Sequence, residues 1–274
     1  MSNLLSANFY KLWRSKAFWG SVAVTFAVTL GSVCLSFFVS SNAALNWDQA
    51  IMRYFYVPLF TTAAFAAAFI GADYAENTIR NKLIVGKTRA QIYFANLITI
   101  TAGGLIITAA GQLAPAAVAL FAGEGYITVS AGSFAAGIAV CVCTVIGACA
   151  FFTLVGMTVT KRSTAAVLAL ILMIGAYVAA PKLKELLDRP QSMTVTQYDE
   201  FGGIEKVYEE PNPDGVTGSA RVVMETVYNL LPFGAIEQAK HDTEARGFLP
   251  LYAVGSFAVM TGIGTLVFRK RDLK

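Results

Sequence analysis

The sequence predicts an all-α integral membrane protein: six transmembrane helices, an N-terminal interfacial helix and an extracytoplasmic segment between helices five and six. Three observations carry this reading. Of 274 residues only 14% are charged, against about a quarter in soluble domains, and 56% are hydrophobic, with a mean hydropathy of +0.58. Six runs without a charged side chain approach or exceed the roughly 20 residues that a helix needs to cross about 30 Å of hydrocarbon. Lys and Arg gather at alternate ends of those runs, the asymmetry that orients membrane helices.

The first element covers residues 1–16. In "LLSANFYKLWRSK", Leu5, Phe9, Leu12 and Trp13 fall on one side of a helical wheel, with Asn8, Lys11, Arg14 and Ser15 on the other. That pattern predicts an amphipathic helix lying in the headgroup layer of the membrane. The uncharged run that follows, Ala17 to Trp47, is roughly twice the apolar core of a cleavable signal peptide, so it is expected to remain as the first span.

The other runs are Tyr54 to Ala72, Ala90 to Gly123, Gly125 to Thr160, Ser163 to Pro181 and Gly247 to Phe268. They lack the polar alternation of barrel strands, and a helix alone pairs every backbone group inside lipid. Residues 17–181 thus hold spans one to five, 182–246 the extracytoplasmic segment, 247–268 span six and 269–274 a tail. The third and fourth runs are 34 and 36 residues long, with Gly103, Gly104 and Pro115 as expected places for a break or kink. Small residues crowd span two (Ala63, Ala66, Ala67, Gly71) and span four (Gly137, Gly147, Ala148, Ala150), where close helix approach is expected.

Lys11, Arg14 and Lys16; Arg80, Lys82, Lys87 and Arg89; Lys161 and Arg162; and Arg269, Lys270, Arg271 and Lys274 all fall on one side if the helices alternate. Both termini are then cytoplasmic. Segment 182–246 carries 7 basic and 12 acidic residues, so the rest of the chain is +9 and the overall +4 reflects topology rather than nucleic-acid binding. Within this segment "KLKELLDRP" reads as a helical extension of span five stopping before Pro190. "MTVTQY" reads as strand, "EEPNPDG" as turn or loop, and "SARVVMETVYNLL" as helix.

Several chemistries are excluded by residue type. The letters Gly86-Lys87-Thr88 end a nucleotide-binding P-loop, but its first glycine would fall at Asn81 and no buried strand precedes it. The uncharged runs offer no Asp, Glu or His for intramembrane catalysis or proton-coupled transport, and the lone histidine, His241, lies outside them. Cys34, Cys141, Cys143 and Cys149 lie within predicted spans and read as small packing residues, not metal ligands. An energy source outside the chain is the simplest expectation. Attention therefore falls on residues 73–89, "DYAENTIRNKLIVGKTR", a doubly charged connection between spans two and three with a helix expected from Glu76 to Leu83.

The stretch "FIGADYAENTIRNKLIVGKTRAQIYFANL" resembles the first cytoplasmic loop of ABC-2 type ABC transporter permeases, the membrane subunits of that family: an acidic residue, a "GTIRNKL"-like stretch, then a turn into the third helix. The ending "LVFRKRDLK" is similar to the family's basic-then-Asp tail, and the order of elements agrees along essentially the whole chain. Asn77 stands where many relatives have Gly, which puts the local backbone of the loop in question. The resemblance implies that Asp73, Glu76, Asn77, Thr78, Ile79, Arg80, Asn81, Lys82 and Leu83 form a coupling region contacting a separate ATPase. It also implies that Leu5, Phe9, Leu12 and Trp13 belong to an elbow helix.

The expected function is the permease subunit of an ATP-driven exporter in a bacterial cell membrane. It would pair with a second permease copy or paralogue and with two ABC ATPase subunits that hold ATP and Mg, leaving this chain without cofactor or enzymatic activity of its own. The substrate would be a peptide, drug or lipid-like amphiphile, with Tyr54, Phe55, Tyr56, Phe60 and Phe65 as candidate lining of its route. The alternatives are a non-transporting membrane sensor or assembly protein, and an ion-coupled secondary carrier.

Overall fold

Apolar runs this long become helices because nothing in lipid pairs with an open backbone. The computed structural model describes residues 1–39, 47–122, 129–159, 161–198 and 204–270. In chain order they form α1 (Ser2–Arg14), α2 (Lys16–Val39), α3 (Trp47–Arg53), α4 (Tyr56–Ala75), α5 (Thr78–Ile84), α6 (Arg89–Ala122), α7 (Ala131–Thr158) and α8 (Arg162–Leu187). After these come the strands β1 (Ser192–Tyr198) and β2 (Ile204–Pro211), then α9 (Gly218–Leu230), α10 (Pro232–His241) and α11 (Leu249–Lys270). Six segments are long and apolar enough to cross a membrane: Lys16–Ser36, Ala50–Ala75, Arg89–Leu120, Ala131–Thr158, Ser163–Leu187 and Ala245–Lys270. The protein is an all-α, multi-pass membrane protein.

The spans divide into an inner and an outer set. About 61% of the most apolar window of α4, α6 and α7 is buried, against 22% for α2 and α8 and 17% for α11. α4, α6 and α7 therefore form the core; α2 rests on α6 and α4, α8 on α4, and α11 on α7. Leu, Ile and Val side chains of the outer helices, such as Ile171 and Leu251, remain exposed, as lipid-facing side chains are. Small residues allow the core to close. A Cβ on Gly104 of α6 would come within 2.7 Å of Cys149 of α7 and 2.9 Å of Thr62 of α4. Hydroxyls inside the bundle turn back on their own helices: Thr99, Thr144 and Thr153 each donate to the carbonyl four residues earlier at 2.8 Å.

Three expectations are corrected. α6 runs unbroken for 34 residues through Gly103, Gly104 and Pro115, a length of about 50 Å at roughly 1.5 Å per residue. The second span also outruns its uncharged stretch, taking in Arg53 and Asp73, while the fifth continues through Lys182, Lys184 and Glu185 as the expected helical extension. Charged side chains at helix ends reach the interface or find partners, so the first charge does not end a helix. Finally, β2 continues through Glu209, Glu210 and Pro211, pairing antiparallel with β1, and the turn is confined to Asn212–Gly215. There Asn212 accepts from the Asp214 amide at 3.0 Å, an Asx turn that lets Asn-Pro-Asp-Gly reverse the chain.

α11 meets α7 closely at Gly147 and makes its tightest approach, to α6, at Gly264. A Cβ on Gly264 would fall 2.0 Å from the Tyr93 hydroxyl, and that hydroxyl is buried without a hydrogen-bond partner among the described residues. Gly264→Ala is expected to destabilise the fold by about 1–3 kcal/mol through overpacking. Thermal unfolding in detergent checks this: the midpoint should fall in Gly264→Ala and recover in part when Tyr93→Phe is added.

Candidate functional site

α4 ends in water-facing turns, yet Asp73 in its last turn is 0% exposed. Its carboxylate receives Lys11 Nζ of α1 at 2.6 Å and Lys82 Nζ of α5 at 3.1 Å, one lysine on each oxygen. Lys11 also donates to the Phe69 carbonyl at 2.9 Å and sits 4.3 Å above the Phe69 ring. Lys82 also donates to Asn8 Oδ1 at 3.0 Å, and Asn8 Nδ2 donates to Asn96 Oδ1 of α6 at 2.8 Å. The Tyr74 hydroxyl donates to the Met157 carbonyl at 2.7 Å, reaching α7. One polar chain thus joins the N-terminal helix, the α4–α6 connection and three spans. Away from water such a network holds its geometry strictly, because removing either partner leaves a bare charge.

The backbone around α5 is equally constrained. Asn77 has φ of 55°, in the left-handed region that glycine adopts freely and Asn tolerates better than most residues. The Gly-to-Asn departure noted in the sequence therefore sits at a conformation both residues adopt. At the other end Gly86 has φ of 84°; its amide donates to Leu83 O at 2.9 Å, and the Lys87 amide donates to Lys82 O at 3.1 Å. This pair of bonds is a Schellman C-cap. Thr88 then caps α6: its Oγ1 accepts from the Gln91 amide at 3.2 Å while Gln91 Oε1 accepts from the Thr88 amide at 3.1 Å, a capping box. Gly86-Lys87-Thr88 is a helix stop and a helix start, not a phosphate cradle.

This geometry sorts the residues expected to touch a partner. Glu76, Asn77, Arg80 and Asn81 are exposed; Thr78, Lys82 and Leu83 are half-buried; Ile79 is buried in the core. Asp73 lies within the second span and faces inward, so its assignment to a docking surface is corrected: a carboxylate with two lysine partners is an internal brace. Ile84 and Val85, not singled out from the sequence, stand 75% and 76% exposed at the tip of α5 beside a groove of about 250 Å³ lined by Asn3, Leu4, Asn81 and Lys87. Two apolar residues inside a charged connection were the available signal.

In α1 the buried stripe is Leu4, Asn8 and Leu12, while Leu5 and Phe9 are half-buried and Trp13 is 51% exposed. The polar side expected to face water instead sends Asn8 and Lys11 inward, where Asn96 and Asp73 meet them. Trp13 packs with Phe18 and Trp19, and Trp19 Nε1 donates to the Trp13 carbonyl at 2.8 Å, an arrangement suited to the membrane interface.

At the other end of α4 a second cluster forms. Tyr56 and Phe60 meet Tyr177 of α8 and Phe233 of α10, with ring centroids 5.2–6.1 Å apart. Beside them opens a cavity of about 710 Å³ whose charged lining includes Arg53, Lys182, Glu237 and Lys240. Tyr54, Phe55 and Phe65, the other three residues expected on a substrate route, pack elsewhere: Tyr54 against Val33 and Trp47, Phe55 in the core, and Phe65 against Phe18 and Phe69.

Glu237 of α10 accepts from the Tyr56 hydroxyl, from Lys240 Nζ at 2.5 Å and from His241 Nε2 at 3.1 Å. Burial by itself would raise its carboxyl pKa, but the bonds from Lys240, Tyr56 and His241 hold it below the ordinary range. Burial lowers the ammonium of Lys240, with Glu237 opposing that shift. Among the described residues, no three His, Cys, Asp or Glu side chains converge as a metal site requires. No protein-family model and no curated protein matches this chain.

Two measurements probe these clusters. Asp73→Asn strands two lysines and should cost about 3 kcal/mol, read by thermal or denaturant unfolding in detergent; Arg80→Ala, at an exposed position, should stay within about 0.5 kcal/mol of the parent. Because the folded Glu237 carboxyl titrates below its usual 4.5, its contribution is full above that value and is lost as pH falls through the lower folded value. Hydrogen-exchange protection of α10 amides, corrected for intrinsic rates, should drop below pH 4.5 in the parent and lose that pH step in Glu237→Gln.

Proposed function

We propose that this protein is the membrane-spanning permease subunit of an ATP-driven ABC-2 type exporter, moved by a separate cytoplasmic ATPase. The observation that carries the reading is the braced connection between the second and third spans. α5 presents an exposed apolar tip, Ile84 and Val85, flanked by Arg80 and Glu76, and behind that tip Lys82 is tied to Asp73. Lysine and arginine at this end of the bundle favour a cytoplasmic position for both termini and for α5.

The mechanism follows from stiffness. A partner closing on ATP and Mg pushes the apolar tip. α5 cannot absorb the push, since Asn77 and Gly86 bound it tightly, so displacement passes through Lys82 and Asp73 to α4, through Lys11 to α1, and through Asn8 and Asn96 to α6. α4 carries Tyr56 and Phe60 at its opposite end, where the aromatic cavity offers an amphiphilic substrate both ring faces and cations. The energy available is set by the partner's differential affinity for two arrangements of the permease pair. Two ATPase copies and a second permease copy or paralogue complete the assembly.

The test is assembly and coupling. Ile84→Asp with Val85→Asp is expected to weaken co-purification with the ATPase by at least about thirtyfold, as loss of an interface hot spot does. Arg80→Glu should lower permease-stimulated ATP hydrolysis in proteoliposomes. Parent-like assembly and hydrolysis in both variants would overturn the proposal. Uptake driven by an ion gradient without ATP would favour a secondary carrier, and a stable ATPase complex that moves no solute would favour a sensor.

A further inference from the structure

Between α8 and α11 the bundle does not close. Leu172, Met173 and Ala176 of α8 face Ala253, Ser256 and Met260 of α11 across an apolar cleft of about 350 Å³, floored by Gly147 and Ala148 of α7 and roofed by the α9–α10 junction at Leu231 and Pro232. Leu172, Val227 and Leu230 on its walls are exposed, so the cleft opens sideways from the bundle. Asn229 lines this cleft and also a second, polar pocket of about 260 Å³, formed where the end of α8, α9, Gln238 of α10 and Phe248 meet.

The polar pocket holds two cations and two anions already paired: Lys184 with Asp188 at 2.9 Å, and Arg221 with Glu225 at 2.8 Å. It also contains two buried polar atoms without a hydrogen-bond partner among the described residues, the Tyr228 hydroxyl and Asn229 Oδ1. Tyr228 is 2% exposed and lines the pocket, so a donor has been taken out of water with nothing to receive its proton. Leaving a buried polar atom unpaired costs free energy, and a site with a spare donor and a spare acceptor matches a ligand that brings the complement of both.

We infer that the paired pockets bind one zwitterionic phospholipid, with an acyl chain in the cleft between α8 and α11 and a phosphoethanolamine head beside α9. The phosphate oxygens accept from Tyr228 and Arg221; the ammonium donates to Asn229 Oδ1 and Glu225. Burial drives the Tyr228 phenol far above its ordinary range, which keeps it a donor. Equal numbers of positive and negative side chains suit a head of zero net charge better than an anionic one. Lys184 and Asp188, at the end of α8, lie about 12–24 Å along the helix direction from Leu172 and Ala176, at roughly 1.5 Å per residue, so head and tail follow the span direction as a bilayer lipid does. A cleft of this size is within the range of small-ligand sites, about 300–1,000 Å³. The inference goes beyond the transport reading and needs only the membrane embedding.

The experiment uses the full chain in nanodiscs containing phosphatidylethanolamine with a photoreactive diazirine on its acyl chain. After irradiation, labelled peptides should concentrate on the cleft walls around Phe151, Met173 and Met260. Excess unlabelled phosphatidylethanolamine should compete; phosphatidylglycerol and inorganic phosphate should not. Tyr228→Phe and Arg221→Gln should each cut cleft labelling by about tenfold, and Ala176→Phe, which fills the cleft, should do the same without touching the head pocket. Gel filtration and circular dichroism confirm that each variant is folded; if a head-pocket variant is not, Ala176→Phe decides. Labelling spread evenly over the outer faces of α2, α8 and α11 would overturn the inference. So would parent-like labelling in the folded variants, equal competition by phosphatidylglycerol, or displacement by inorganic phosphate.

Discussion

A carboxylate removed from water at the end of a membrane helix must be answered by charge, and the arrangement of this protein at that end follows from the answer Asp73 finds. Two lysines reach it from opposite directions in the sequence, one before the first span and one after the second. Each then has further partners, so the pairing fixes α1 under α4 and α5 beside α1. Hydrophobic burial cannot do this in lipid, where apolar contact is nearly indifferent to which helix supplies it. The ion pairs choose the neighbours, and small residues such as Gly104 let the chosen neighbours meet.

α4 is the element through which both ends communicate. It carries Asp73 near one terminus and Tyr56 at the other, about 25 Å away at roughly 1.5 Å per residue. Tyr56 donates to Glu237, so α10 is fastened to the same helix that α5 is fastened to, at the opposite end. The segment between spans five and six is therefore partly integral to the bundle: Phe233, Ile236 and Ala239 of α10 are buried, while residues 192–194 and 207–211 of the β1–β2 ribbon are mostly exposed.

The spans were legible because lipid imposes one requirement on every residue of a run, and a run of apolar residues announces it. The strand at Met193 and the helices over Lys182–Leu187 and Gly218–Leu230 were legible for the same local reason. What local pattern could not show was pairing across the chain. Asp73 and Lys82 read as loop charges because only the fold brings Lys11 to them, and Asn8 read as solvent-facing because its partner, Asn96, is 88 residues away. α10 escaped notice because its sequence, Pro232-Phe-Gly-Ala-Ile-Glu-Gln-Ala-Lys-His, alternates small, apolar and charged residues that make sense only when lodged among α3, α7 and α8. Of five aromatics expected on one route, only Tyr56 lines the cavity, with Phe60 packed behind it on Tyr177 and Phe233; helical periodicity sends Phe65 toward α2.

Only Lys87 separates the residue that stops α5 from the residue that starts α6. A joint with a single intervening residue has no slack, so the two helices it connects must turn together, like shafts on a keyed coupling. Lengthening that joint would leave every side chain in place and still let one shaft rotate without the other.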